Sequence, residues 1–193
     1  MEEKVLEVLN KIEEERRKNR RIEKVSFEVF RGAVEKLNPG RFSESKIKEL
    51  YEDLPSPRRG TNSSAGYDFY APYDFELKEN ERLVVPTGYK VSMNSDEIFS
   101  MYVRSSTGFK FNVRLCNQVG IIDADYYNNK DNEGHIMVAF HNHGDKVWEN
   151  FTEGKDVSEK SRIAQGIYTR YYVSDNDNAS RQERTGGIGS TSK

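Results

Sequence analysis

Five stretches are too polar or too rich in glycine for the β-like sequence around them, and they hold the residues whose types and order could do chemistry. In order they are Ala65-Gly66-Tyr67-Asp68; Arg104-Ser105-Ser106-Thr107-Gly108; residues 117–126, with Asn117, Gly120, Ile122, Asp123, Asp125 and Tyr126; Arg162-Ile163-Ala164-Gln165-Gly166; and Arg184-Thr185-Gly186-Gly187-Ile188-Gly189-Ser190-Thr191. Arg104, Ser105, Gln165, Arg184, Ser190 and Thr191 are donors suited to phosphate oxygens, and Gly186, Gly187 and Gly189 let backbone N–H groups approach an anion closely. Each stretch alone also has a plain reading. Asp68 could sit in a turn, Arg104 could pair with a surface acid, Gln165 could be a satisfied strand amide, and the last glycines could be a flexible tail. The terminal RTGGIGST lacks the Gly-Lys pair of a Walker A loop.

The elements that must position these residues divide the 193-residue chain. Residues 1–58 read as a helical N-terminal extension: Val5, Leu9 and Ile12 share a face, as do Phe27, Phe30, Val34 and Leu37, and then Ile47, Leu50, Tyr51 and Leu54. Ser26 and Ser43 stand where N-caps belong, and Asn38-Pro39-Gly40 breaks two helices apart. The run at 11–24 alternates in sign, the pattern of a solvated helix face rather than of a nucleic-acid patch built on Arg16, Arg17, Arg20 and Arg21. Residues 59–183 read as a β domain with strands near 66–70, 75–77, 82–85, 89–93, 98–103, 113–115, 134–142 and 162–172. Such crowding without intervening helices predicts a mainly β fold, an antiparallel barrel or jelly roll. Residues 184–193 form a glycine-rich C-terminal arm.

Composition narrows the function. With 30 Lys+Arg against 32 Asp+Glu, the net charge of -2 provides no field to gather a long polyanion, whereas a few local cations could hold a small phosphorylated ligand. The single cysteine, Cys116, excludes an internal disulfide and reads as a buried small residue. No apolar run approaches the ~18 residues of a membrane span, and the acidic start lacks a signal-peptide pattern, so a cytoplasmic setting is expected. His141 and His143 share a strand face but have no third metal ligand at suitable spacing. Trp148 reads as a core or interface anchor.

As an ordered set, the five stretches resemble the motifs of the trimeric dUTPase family, in the form found in Gram-positive bacteria and their phages, over about residues 56–193. The resemblance implies a jelly-roll-like barrel and a homotrimer that hydrolyses dUTP to dUMP and pyrophosphate with Mg²⁺, lowering dUTP and supplying dUMP for dTMP synthesis. It implies that Asp123 activates the attacking water and that Asp68 meets Mg²⁺ through water. Asn117 would pair with the uracil edge, within a hairpin that includes Gly120 and Ile122, and Tyr126 would lie under deoxyribose. Arg104, Ser105, Ser106 and Gln165, with Arg184, Gly187, Gly189, Ser190 and Thr191 of the arm, would hold the phosphates. Each site would draw on three chains: Asp68, Arg104 and Gln165 from one, 117–126 from a second, the arm from a third.

Two departures bear on this. Ile188 stands where the family usually closes an aromatic ring over the base, and Ser106 follows Ser105 where Arg-Ser-Gly is usual. Arg-Ser-Ser also fits the related dCTP deaminases, but the strand after Gly134 reads HIMVAFHN without the glutamate that they carry there. Residues 127–133 read as an insertion. An added regulatory protein partner, bound through residues 1–58, is the remaining alternative.

Overall fold

The computed structural model describes residues 2–150 and 162–179. The chain begins with α1 (Glu2–Asn19), β1 (Arg21–Lys24), α2 (Phe27–Leu37) and α3 (Glu44–Glu52). There follow β2 (Arg58–Arg59), β3 (Tyr67–Tyr70), β4 (Phe75–Leu77), β5 (Arg82–Pro86), β6 (Tyr89–Ser92), β7 (Glu97–Val103) and α4 (Ser105–Phe111). The remainder comprises β8 (Val113–Leu115), β9 (Gly120–Asp123), a 3₁₀ turn (Ala124–Tyr126), β10 (Met137–Asn142), β11 (Trp148–Asn150) and β12 (Arg162–Arg170). All pairings are antiparallel, in sheets ordered β2-β3-β12-β7-β9, β5-β10-β8, β11-β4 and β1-β6, a jelly-roll-like arrangement without hydrogen-bonded closure among the described residues. No described helix is long and apolar enough to cross a membrane.

Period-two alternation explains the strands: along β10, Val138, Phe140 and Asn142 are buried while Met137, Ala139 and His141 face outward. Phe99 of β7 lies across β12, where a Cβ on Gly166 would come within 2.1 Å of its ring, so the glycine of the fourth motif serves packing. Trp148 is a core anchor, edge-on to Phe75 and Phe140. Ser26 and Ser43 cap α2 and α3 by accepting from Val29 N and Lys46 N.

The N-terminal region departs from the all-helical expectation. Residues 21–24 are a strand because their backbone pairs with β6, Arg21 opposite Ser92 through Lys24 opposite Tyr89. Val25, Phe30, Val34, Ile47 and Leu54 belong to the same buried cluster as Phe69, Phe99 and Phe140. The charged run is also not simply a solvated face: Arg16 and Arg20 close on Glu97, which is 1% exposed. Their partner lies some 80 residues away, beyond the reach of i,i+4 reasoning.

Candidate active site

The first cluster is made by strand register. Gln165 of β12 sits opposite Asp68 of β3 on one side and Tyr102 of β7 on the other, and Arg104 follows directly after β7. Asp68, 7% exposed, accepts from Arg104 Nε at 2.9 Å and Arg162 Nη1 at 3.1 Å. Arg162 was in the fourth motif but had no expected role; a cation at the start of a strand that pairs with the Asp68 strand was the available signal. Among the described residues the guanidinium groups of Arg104 and Arg162 meet Asp68 through Nε of the one and Nη1 of the other, which sets two cations side by side. Gln165 donates to Val103 O, and its Oε1 occupies the space that a Gly66 Cβ would need, 2.5 Å away. Gly66 thus leaves room for Gln165 beside the cluster. Ser105 and Ser106 are exposed in the first turn of α4, a helix that the sequence reading did not anticipate.

The second cluster is a hairpin between β8 and β9. Gln118 adopts φ 61° and its N–H reaches Leu115 O at 3.0 Å, a tight turn that leaves Asn117 exposed. Gly120 faces Met101, where a Cβ would stand 3.1 Å from the Met101 Cβ, so the hairpin lies close on β7. Behind it is a cavity of about 290 Å³ lined by Cys116, Asn117, Gly120, Ile122, Tyr126 and hydrophobic neighbours including Met101, Ile136 and Val138. A largely apolar slot with one side-chain amide at its mouth suits a flat heterocycle and a sugar. Cys116 is exposed rather than buried, since the hairpin carries it to the cavity wall. Beneath the slot, burial pushes the His135 imidazole down to about 4, against a smaller opposing pull from Glu133; its Nε2 accepts from Gly88 N at 2.9 Å.

Asp123 ends β9, opposite Ile98, six positions before Arg104 along the β7 chain. At ~3.3 Å per residue that is about 20 Å along the strand direction. One chain therefore brings Asp68, Arg104 and Gln165 together, and Asn117, Gly120, Ile122 and Tyr126 together, but does not bring Asp123 to the arginines. Arg184, Gly187, Ile188, Gly189, Ser190 and Thr191 lie outside the described residues. On the outer face of β10, His141 stands in a row between Arg82 and Arg114, its ring 3.9 Å from that of His143. No group of three or more His, Cys, Asp or Glu able to hold a metal occurs among the described residues.

A family model described as dUTPase matches residues 52–192. The deoxyuridine 5'-triphosphate nucleotidohydrolase of Lactococcus lactis is 43% identical over 137 residues, covering 70% of this chain and 86% of the relative. The corresponding protein of Hahella chejuensis is 33% identical over 75% of this chain and 91% of its own. Among solved structures, dUTPase from Streptococcus mutans aligns with TM-score 0.55 and 34% identity over 65% of this chain and 91% of that one. The phage phi11 dUTPase of S. aureus shares the fold at TM-score 0.51 and 18% identity, over 69% of this chain and 94% of that one. The motif order, the two clusters and these likenesses agree: the chain belongs to the dUTPase family of deoxyuridine triphosphate nucleotidohydrolases.

Proposed function

We propose that this dUTP nucleotidohydrolase works as a homotrimer with Mg²⁺, in sites that combine the hairpin of one chain with the arginine cluster of another, and that Asp123 takes the proton of the attacking water. The observation that carries this reading is the separation of about 20 Å between Asp123 and Arg104 along β7. The base and the phosphate-holding groups must meet at one triphosphate, and two copies of the chain can supply what one keeps apart.

In that site the uracil enters the hairpin slot, where Asn117 and the strand backbone pair with its edge; cytosine would leave buried groups unpaired, at roughly 1–3 kcal/mol each. Tyr126 packs under the deoxyribose and excludes a 2′-hydroxyl. Arg104, Ser105, Ser106 and Gln165 hold the phosphate chain, with Arg184, Gly187, Gly189, Ser190 and Thr191 of the arm closing over it and Ile188 covering the base. Asp123 polarises a water aimed at the α-phosphorus. Asp68, already neutralised by two arginines and outside any metal-binding group of carboxylates among the described residues, fits an outer contact to a hydrated ion better than a resident cage. Bound with the nucleotide, Mg²⁺ would neutralise phosphate charge.

Mixing two inactive variants tests the assignment. Asp123→Asn should lower kcat about 10²- to 10⁴-fold while dUTP still binds, and Arg104→Ala should also be nearly inactive. Co-refolded in equal amounts, the two should regain about one quarter of wild-type sites, because each site needs its hairpin from one kind of chain and its arginine from the other. Mixed trimers without recovery would place each site within one chain. An added protein-binding role, the second reading, finds support in α1, where Val5, Leu6, Val8, Leu9 and Ile12 are each more than half exposed.

A further inference from the structure

The hydroxyl of Tyr126 is held from outside the cavity that its ring lines. Tyr126 is 6% exposed; its hydroxyl donates to His135 O at 3.1 Å and accepts from Asn132 Nδ2 at 2.8 Å. Those two bonds fix the tilt and depth of the ring, since moving it breaks both. Asn132 is itself fixed, its Oδ1 accepting from Asn129 Nδ2 at 2.8 Å and Gly134 N at 3.1 Å. Asn129 Nδ2 returns to Tyr126 O at 2.8 Å and closes the circuit. A Cβ on Gly134 would stand 2.6 Å from that same carbonyl, so the two ends of the loop are pressed together. Asn129 and Asn132 lie in the segment 127–133 that the sequence marked as an insertion.

The loop is anchored to the N-terminal region. Glu133 accepts from the backbone N–H of Ser26 at 3.1 Å and from Lys90 Nζ at 2.9 Å, and Tyr127 OH donates to Glu23 of β1. Ser26 also caps α2, and Lys90 pairs with Glu23 in the β1–β6 ladder. Glu133 N donates to Asn129 O at 2.9 Å, so hydrogen bonds link the N-terminal region through Glu133, Asn129 and Asn132 to the Tyr126 hydroxyl.

We propose that Asn132 and Glu133 are positioning residues that set the depth of Tyr126 and thereby the preference for deoxyribose over ribose, with the N-terminal region as the anchor. The inference rests on the reading that Tyr126 lies under the sugar. Discrimination by a clash with one hydroxyl depends on placement at the scale of a bond length, so a ring released from its hydroxyl partners retreats and admits UTP.

The test compares kcat and KM for dUTP and UTP in the full-length protein and in Tyr126→Ala, Asn132→Ala, Glu133→Ala and Glu133→Gln, with melting temperatures measured alongside. Tyr126→Ala should abolish the preference. Asn132→Ala should lower the dUTP:UTP ratio of kcat/KM about five- to tenfold, the worth of one neutral hydrogen bond, through better use of UTP while kcat on dUTP holds. Glu133→Ala should move the ratio the same way by about threefold, and Glu133→Gln, which keeps an acceptor for the Ser26 N–H, should restore most of it. An unchanged ratio in Tyr126→Ala sinks the sugar reading and this inference with it. A ratio lost in Tyr126→Ala but unchanged in both Asn132→Ala and Glu133→Ala overturns the inference alone, as does an equal loss on both nucleotides. If Asn132→Ala does not fold, the Glu133 pair decides.

Discussion

Near each end of β7 a carboxylate is held by two arginines, Glu97 of β7 itself at the start and Asp68 of β3 beside the end, and the two arrangements are put to different uses. At its start, Glu97 receives Arg16, Arg20, Asn94 N and Asn94 Nδ2, so both oxygens are occupied, and the two arginines are spent on Glu97, Asp96 and Glu13. Burial would raise its carboxyl, but donation from Arg20, Asn94 and Arg16 outweighs that and holds it at about 2. Beside its end, Asp68 of β3 receives one N–H from each of Arg104, just past β7, and Arg162, at the start of β12, whose side chains are 30% and 35% exposed. The first arrangement fills both oxygens of Glu97 and ties α1 to the body of the protein, with Arg16 Nε left buried and unpartnered among the described residues. The second orients two partly exposed guanidinium groups around one carboxylate, an excess of positive charge that suits a polyanion. A buried ion pair gains its functional meaning from the balance of charge and exposure around it.

Single substitutions should separate the two ends most sharply. Arg104→Ala should lower kcat/KM by about 10²- to 10³-fold with little change in the urea midpoint. Glu97→Ala, which strands two arginines, should cost about 3 kcal/mol of stability and leave kcat/KM of the folded enzyme within about twofold. If Glu97→Ala also destroyed turnover in the folded protein, the comparison would break.

A pH series sharpens it next. His135 is lowered from 6.5 to about 4, so the unfolded chain takes up a proton first and stability falls as pH drops from 6.5 to 4. That shift amounts to about 3 kcal/mol. Glu97, lowered from 4.5 to about 2, stabilises fully above 4.5, and its contribution is lost as pH falls through the window from 4.5 to 2. Urea unfolding at pH 7.5, 5.5 and 4.8 should show the histidine loss before the glutamate loss begins, and His135→Gln should flatten the upper window.

Smaller effects bear on the open end. Gly66→Ala must displace Gln165 Oε1, the far end of a flexible side chain, so kcat/KM should fall about tenfold while the melting temperature hardly moves. A loss of stability without loss of activity would make Gln165 a packing residue. Ile188→Phe should lower KM a few-fold, by aromatic contact of about 0.5–1.5 kcal/mol with the base. An unchanged KM would mean that the arm closes elsewhere.

Much of the β domain was legible because strand signals are local. Phe75–Leu77 and Val113–Leu115 match the expected spans, and Tyr67–Tyr70, Arg82–Pro86 and Tyr89–Ser92 differ by a residue or so. Strand β9 escaped because Gly120-Ile121-Ile122-Asp123 lacks alternation, and its pairing comes from β7. Strand β1 escaped because a charged four-residue run becomes a strand only when β6 offers an edge. Helix α4 begins in Ser-Ser-Thr-Gly, which reads as loop, and its first turn is closed by Thr107 N and Gly108 N donating to Arg104 O.

The chain by itself determined the residue types, their order and the family they resemble, because motif identity, turn chemistry and period-two alternation are properties of neighbours along the backbone. Only the tertiary structure decided which of those residues meet. Register put Gln165 opposite Asp68, added Arg162 and set Asp123 opposite Ile98, far along β7 from Arg104. Packing also decided that Phe30, Val34, Ile47 and Leu54 of the N-terminal region are buried in one core with the β domain. The physical reason is common to both cases: long-range pairs form where burial and backbone hydrogen bonding over the whole chain outweigh chain entropy, a balance that no local window contains.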